Sequence, residues 1–234
     1  MFQRVNESQQ RERRFTADAA HELRTPLSIS KVHLQNIQLG SKNSQVIDFV
    51  TKAVVGINRL IHMVQQLLVL SRLDAQQDES KTALDLNALC HEMIIETQQN
   101  TDLPNHDLRL SVPSSAKLSA NETSLRVLLR NLFDNACRYS NKNTAIEVLV
   151  TQSKISIQNQ CPALDEKTLT LIFERFKRGA GSNQQGSGLG LSICQQICQL
   201  NQFELSLKNR QDGIEGLITE VTFSNNTKHG ASPD

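Results

Sequence analysis

A histidine beside a carboxylate is the feature of this chain that could most directly do chemistry. His21 and Glu22 lie in the stretch 15–28, which is predicted to be helical. A neutral imidazole nitrogen can attack phosphorus while its lone pair is free, and a neighbouring carboxylate can orient the ring or accept its other proton. Thr25, four residues later, falls on the same helix face, where its hydroxyl could position a water that hydrolyses a phosphohistidine. The pattern indicates phosphoryl transfer onto His21, although an exposed histidine can also be an ordinary surface residue.

A row of polar side chains interrupts a leucine-rich helix that is predicted to begin after Asn121, a good N-cap, and to end near Tyr139. Asn131, Asn135 and Arg138 follow one another at i, i+4 and i+7, so they share a face. An amide oxygen suits a hydrated magnesium ion on a triphosphate, and a guanidinium group binds phosphate oxygens. The row favours a phosphate-bearing ligand, with a solvated helix face as the alternative.

A glycine cluster opens another predicted helix, over 188–200. Gly186, Gly188 and Gly190 would let the backbone approach a ligand closely, and the following helix offers unpaired amides and a positive dipole end to phosphate. No strand directly precedes the cluster, and the Gly-Lys-Ser/Thr of a P-loop is missing, so neither of those fingerprints applies.

Two long helices must position His21. Beyond residue 45 the apolar residues recur at alternating spacings of four and three, which is a heptad seam: Val46, Val50, Ala53, Ile57, Leu60, Val64 and Leu67. The first segment follows the same rule through Ala20, Leu23, Leu27, Leu34 and Ile37, and a turn is predicted over 40–44. His21 falls about 160° around the helix from Leu23, and therefore faces water.

The hairpin needs further partners, because two helices with wide apolar faces cannot bury them by pairing with each other alone. We expect two hairpins to associate as a four-helix bundle in a homodimer. Packing of the hairpin against the C-terminal domain is the alternative.

After a polar linker near residues 74–80, strand and helix periods alternate. Strands are predicted at 84–86, 108–112, 117–120, 145–151, 154–158, 203–208 and 217–223, and helices at 87–99, 121–139, 166–173 and 188–200. The mixture predicts a sheet with helices on one face, so the fold class is α+β: a helical hairpin followed by an α/β sandwich. The predicted domains are 1–78 and 79–225, with a disordered tail over 226–234.

Composition excludes several classes of function. A net charge of +1 without a basic stripe argues against a nucleic-acid partner. The five cysteines are odd in number and lack zinc spacing, which favours a reducing compartment. No run approaches the roughly 20 apolar residues that span a bilayer. We expect a soluble chain that is the cytoplasmic piece of a longer protein, attached to a membrane only through an upstream segment.

In order and residue type, these motifs resemble those of the sensor histidine kinases of two-component systems. His-Glu-Leu-Arg-Thr-Pro-Leu, from His21, is similar to the phosphoacceptor box of that family, and 131–139 is similar to its N box. Phe-Glu-Arg-Phe at 173–176 resembles its F box, and 186–191 its second glycine box. The resemblance implies a dimerising phosphotransfer hairpin followed by an ATP-binding domain of the gyrase, Hsp90 and histidine kinase type.

The resemblance also implies roles for residues. His21 would accept the γ-phosphoryl group of ATP and pass it to an aspartate in the receiver domain of a response regulator, Glu22 would assist as base, and Thr25 would serve a phosphatase reaction. Asn135 would ligate Mg²⁺. The remaining implied nucleotide-binding residues are Asn131, Arg138, Tyr139, Asn159, Arg178, Gly186, Gly188 and Gly190.

One motif departs from the family pattern. The first glycine box usually reads Asp-x-Gly-x-Gly, and its aspartate accepts a hydrogen bond from the adenine amino group, whereas this chain has Asn-Gln-Cys-Pro-Ala from Asn159. An amide oxygen can still accept that bond but without charge assistance, which costs about 1 kcal/mol, or about fivefold in affinity. A phosphatase or scaffold with a degenerate nucleotide site is therefore the alternative function, and an ATPase without phosphohistidine is a third.

Overall fold

The computed structural model describes residue 23 and residues 25–73, 81–100, 103–174 and 188–223. The described residues divide into two compact units. One contains the helices of 25–73 together with 188–193, and the other contains 81–174 together with 194–223. The predicted boundary between residues 78 and 79 stays a prediction. No helix in the described part of the chain is long and apolar enough to cross a membrane.

The first unit contains the predicted hairpin. Helix α1 covers 25–40 of the described residues, and α2 covers Ser44–Leu73. Between them the Asn43 Oδ1 accepts a hydrogen bond from the Gln45 N–H at 3.0 Å, which satisfies a donor at the start of α2. The turn predicted over 40–44 is therefore where the chain reverses between helices.

The predicted seam is only partly covered within one chain. Val50 and Val64 are each 6% exposed, as residues of a packed stripe should be. Leu60 remains 47% exposed and Ile37 50% exposed, although they continue the same apolar pattern. A single hairpin thus leaves apolar surface of its own seam in water.

The second unit is built on a five-stranded sheet. Its strands are β2 Leu108–Ser111, β4 Ile146–Val150, β5 Lys154–Asn159, β6 Phe203–Asn209 and β7 Leu217–Phe223. They lie side by side in the order β2–β4–β5–β7–β6. Strands β2 and β4 pair in parallel, and the other neighbours pair antiparallel. Strands β1 Thr82–Asp85 and β3 Lys117–Ala120 form a separate antiparallel pair.

Local capping explains where the helices of this unit begin. Helix α3 covers Leu86–Gln99 after the cap Asp85, α4 covers Glu122–Tyr139 after Asn121, and α5 covers Glu166–Leu171 after Asp165. Each cap carboxylate or amide oxygen accepts hydrogen bonds from N–H groups of the first turn, for example Asn121 Oδ1 from Ser124 at 2.8 Å. Asn121 is thus confirmed as an N-cap.

The core lies between one face of the sheet and α4, which packs against α3 and β5. The apolar side of α4 is buried: Leu125, Leu128, Leu129, Leu132 and Phe133. An ion network holds α3 to α4 at the surface, because Arg126 contacts Glu92 at 2.7 Å and Arg130 contacts Glu96 at 2.6 Å. The arrangement is the predicted α/β sandwich.

Several predicted boundaries were wrong by a few residues. The first strand ends at Asp85 instead of residue 86, because Asp85 caps α3 and Leu86 already belongs to that helix. Helix α5 ends at Leu171, before the predicted end at residue 173. Helix α6 covers Gly190–Asn201 and not 188–200, since the φ of Gly188 is +71°, in a region that a right-handed helix cannot use.

Candidate functional site

The polar row of α4 lies along the edge of its buried face. Asn131, Asn135 and Arg138 are all half-buried, next to fully buried apolar neighbours of the same helix. The Asn131 Nδ2 donates to the Val127 carbonyl at 2.8 Å, which fixes the orientation of its side-chain amide. Tyr139, the last residue of α4, is also half-buried. The fold thus places these four predicted residues on one helix.

Asp134 lies within this row and was not singled out from the sequence. Burial raises the pKa of its carboxyl to about 6, and the positive charges of Arg138 and Arg130 act in the opposite direction. A helical projection could have identified it, because position 134 lies about 60° around the helix from position 131 and about 40° from position 138. An acidic group therefore adjoins the amides in the row.

Asn159 occupies the last position of β5 and is 5% exposed. Strand alternation puts it on the same face as the buried Ile155 and Ile157, the face toward α4. Its side chain hydrogen-bonds the Cys161 thiol, whose pKa is nevertheless raised because burial dominates. The amide that replaces the family's aspartate is thus buried, oriented, and on the helix side of the sheet.

The segment 160–165 follows Asn159 and leads to α5. Its carbonyl at Gln160 accepts from the Asn141 N–H at 2.7 Å, just beyond the end of α4. Two side chains of the β6–β7 hairpin, Asn209 and Glu215, bind its backbone further on. Sequence reasoning did not identify these two residues, because nothing local marks a partner that lies about 50 residues away in the chain.

The glycine cluster is described from Gly188 onward. Gly188 adopts a positive φ, and α6 begins at Gly190. Ser192 Oγ donates to the Leu189 carbonyl at 2.8 Å, and the Ile193 N–H donates to the same carbonyl at 2.9 Å. The turn before α6 therefore uses a backbone conformation that favours glycine, whereas the predicted close approach of these glycines to a ligand stays a prediction. Gly186 and Arg178 lie outside the described residues.

The phosphoacceptor segment is described only in part. Thr25 is exposed among the first described residues of α1, and the helix continues past Pro26, whose carbonyl accepts from Ser30 Oγ at 2.9 Å. His21 and Glu22 lie outside the described residues. The predicted orientation of His21 away from the apolar seam accordingly stays a prediction.

The donor set on α4 suits a magnesium ion that is held largely through nucleotide phosphates. Among the residues that the structure describes, no three His, Cys, Asp or Glu side chains cluster as a metal site. Mg²⁺ commonly keeps several waters and takes one or two protein ligands plus substrate phosphates, so the half-buried amide of Asn135 fits such an ion.

Comparison with known proteins identifies two domains in this order. Residues 11–76 match the family described as "His Kinase A (phospho-acceptor) domain", and residues 120–227 match "Histidine kinase-, DNA gyrase B-, and HSP90-like ATPase". The two matches together cover about three quarters of the chain. They contain His21 and the α4 row respectively.

The relatives and solved structures agree with this division. The chain is 35% identical over 216 residues to "Sensor protein QseC" of Salmonella typhi, covering 91% of this chain and 48% of that protein. It thus spans about half the length of the curated relatives it matches. Full-length ShkA in complex with AMPPNP superposes with a TM-score of 0.69 at 19% identity, covering 90% of this chain and 45% of that one. The cytoplasmic segment of histidine kinase QseC gives 0.50 at 24% identity, with coverages of 71% and 93%.

The structural likeness concerns the fold, whereas the family rests on the two matched domains and the QseC relatives. A phospho-acceptor hairpin followed by an ATPase sandwich of this type is the domain order that the four sequence motifs indicated. The chain belongs to the sensor histidine kinases of two-component systems.

Proposed function

We propose that this chain autophosphorylates on His21 with ATP and passes the phosphoryl group to an aspartate of a response regulator. The observation that carries the proposal is the joint match of a phospho-acceptor domain that includes His21 and an ATPase domain that includes the α4 row. The His21 imidazole is the nucleophile, and Glu22 orients it or accepts its other proton as positive charge develops on the ring.

On the nucleotide side, the residues of α4 bind and orient. Arg138 supplies charge-assisted hydrogen bonds to phosphate oxygens, and the Asn135 amide oxygen is a ligand for Mg²⁺, with Asn131 beside it. Bound Mg²⁺ neutralises charge on the phosphates. Asn159, whose side chain also hydrogen-bonds the Cys161 thiol, accepts a hydrogen bond from adenine with its Oδ1, since an amide oxygen is an acceptor. Tyr139, Arg178 and the glycines Gly186, Gly188 and Gly190 complete the proposed nucleotide-binding set.

The partners follow from the hairpin. Its half-exposed seam, with Leu60 47% and Ile37 50% exposed, supports a homodimer in which a second hairpin completes a four-helix bundle. A receiver domain of a response regulator is the proposed phosphoryl acceptor. Because the chain is similar to "Sensor protein QseC" and to the cytoplasmic segment of histidine kinase QseC, we propose that it is the cytoplasmic portion of an inner-membrane sensor protein.

A phosphatase reaction on the phosphorylated regulator is a second function of the same hairpin. Thr25 is exposed on α1, four residues from His21, so its hydroxyl is accessible to a water at that face. If the departure at Asn159 had abolished nucleotide binding, this reaction or a scaffold role would be all that remains.

Labelling with γ-phosphate-labelled ATP and Mg²⁺ tests the proposal. The full chain should acquire an acid-labile, base-stable label that His21→Gln abolishes, and the label should pass to a receiver domain. His33→Gln is the matched control, because His33 is an exposed histidine of the same helix. A label that survives His21→Gln, or that is lost in His33→Gln, contradicts the assignment.

A further inference from the structure

The segment 160–165 contains no glycine, yet its backbone is held in one path by side chains from outside it. The Leu164 N–H donates to Asn209 Oδ1 at 2.9 Å, and Asn209 Nδ2 donates back to the Leu164 carbonyl at 2.7 Å. The Ala163 N–H donates to Glu215 Oε1 at 3.0 Å. Three backbone hydrogen-bonding groups of two consecutive residues are thus satisfied by two side chains of the β6–β7 hairpin.

Asn209 is itself held in place by strand pairing. It pairs with Leu217 in the β6–β7 ladder, and Leu217 pairs on its other side with Asn159 of β5. The three residues therefore form one row across three neighbouring strands, with Asn209 about 10 Å from Asn159. The segment leaves the sheet after Asn159, and its residue Leu164 is hydrogen-bonded back to Asn209 in the same row.

The segment is also attached at its beginning. The Gln160 carbonyl accepts from the Asn141 N–H at 2.7 Å, and Asn141 follows the Ser140 cap of α4. The segment is consequently anchored at both ends. Asn141 binds it at Gln160, and the Asn209 carboxamide binds it at Leu164. A glycine-containing turn would instead be free to adjust.

We propose that Asn209 and Glu215 are positioning residues of the nucleotide site, which hold the segment 160–165 in the conformation that receives the base beside Asn159. The inference rests on the nucleotide-binding function proposed above. A loop that is ordered before the ligand arrives loses less freedom on binding. Without the Asn209 carboxamide, the nucleotide itself must order the segment, and its affinity falls.

The Asn209 and Glu215 side chains make different kinds of hydrogen bond, so substitutions can separate their contributions. Asn209 both accepts from and donates to Leu164, so Asn209→Asp keeps the acceptor but sets a carboxylate oxygen against the Leu164 carbonyl. Glu215 only accepts, so Glu215→Gln retains the function and Glu215→Ala removes it. Asn201→Ala is the matched control, because Asn201 Nδ2 donates to the Ile197 carbonyl at 2.9 Å, within its own helix.

The experiment measures two quantities on the full chain and each variant: amide hydrogen exchange across 160–165, and the dissociation constant for Mg-ATP by calorimetry. Asn209→Ala should speed exchange at Ala163 and Leu164 and raise the dissociation constant by about three- to tenfold. In the phosphorylation assay the KM for ATP should rise while kcat is unchanged. Glu215→Gln and Asn201→Ala should match the unaltered chain in nucleotide affinity.

Faster exchange with an unchanged dissociation constant would show a purely structural contact and overturn the inference, as would unchanged exchange. Should Asn209→Ala fail to fold, the Glu215→Ala and Glu215→Gln pair tests the same positioning role, because only the former should weaken binding. An unaltered chain that shows no Mg-ATP heat overturns the proposed function, and the positioning role with it. Binding that is insensitive to every substitution at Asn209 and Glu215 overturns the positioning role alone.

Discussion

Replacing Gly216 with alanine is the perturbation whose consequence the structure determines most directly. A Cβ on Gly216 would lie closer than van der Waals contact to the Asn159 carbonyl oxygen and 2.8 Å from the Arg210 Cδ, where ordinary contacts are 3.4–4 Å. The Asn159 carbonyl is backbone at the end of β5 and cannot rotate away. Gly216→Ala therefore requires a backbone shift of about 1 Å at the row that joins Asn159, Leu217 and Asn209.

The free-energy cost has two parts. Overpacking in a closely packed site costs about 1–3 kcal/mol. The shift also weakens the hydrogen bond from the Arg210 N–H to the Gly216 carbonyl, 2.9 Å long, which contributes about 1 kcal/mol. The total destabilisation of about 2–4 kcal/mol lowers the midpoint of thermal unfolding by about 4–16 °C for a chain of this size.

Differential scanning calorimetry at one protein concentration measures this loss, and calorimetric titration with Mg-ATP measures the accompanying rise in dissociation constant. Gly40→Ala is the control, because a Cβ there meets nothing within 4 Å, so alanine should be neutral or stabilise by up to about 1 kcal/mol. A Gly216→Ala chain within about 0.5 kcal/mol of the unaltered protein would refute the close approach to Asn159 and the reasoning built on it.

Three further predictions concern the same unit. Asn159→Asp should lower the dissociation constant for Mg-ATP about fivefold in calorimetry by restoring charge assistance, and unchanged affinity would contradict an adenine contact at this position. The Lys154 ammonium donates a hydrogen bond to Glu220 Oε1 at 2.5 Å, which lowers the pKa of the Glu220 carboxyl below 4.5. The pair therefore stabilises the fold above about pH 4.5, and this contribution is lost as the pH falls through the lowered pKa. Glu220→Gln should accordingly flatten the acid limb of a pH–stability profile, and an acid limb that stays as steep would contradict the contribution of this pair. Asn121→Ala should destabilise α4 by about 1 kcal/mol in urea unfolding, and a loss below about 0.3 kcal/mol would deny its role as the N-cap.

Much of the secondary structure could be predicted from the sequence because it depends on neighbours within a few residues. Strands 117–120 and 217–223 have the predicted bounds, and α4 begins after its predicted cap and ends at Tyr139. Where a boundary was wrong, a local group decided it, such as the Asp85 carboxylate that starts α3 or the positive φ of Gly188 that delays α6. The family could be predicted as well, because its motifs are short and contiguous.

The sequence by itself determined the elements, the polar row on α4 and the motifs of a histidine kinase, since helical and strand periods and short motifs are properties of adjacent residues. Only the tertiary structure decided the strand order, the parallel pairing of β2 with β4, and the row in which Asn159 and Asn209 flank Leu217. The contacts of Asn209 with Leu164, 45 residues away, follow from that row and have no local signature. Such a hydrogen bond between distant residues depends on which strands pair and in which register. Strand pairing in turn depends on the whole core that the chain buries.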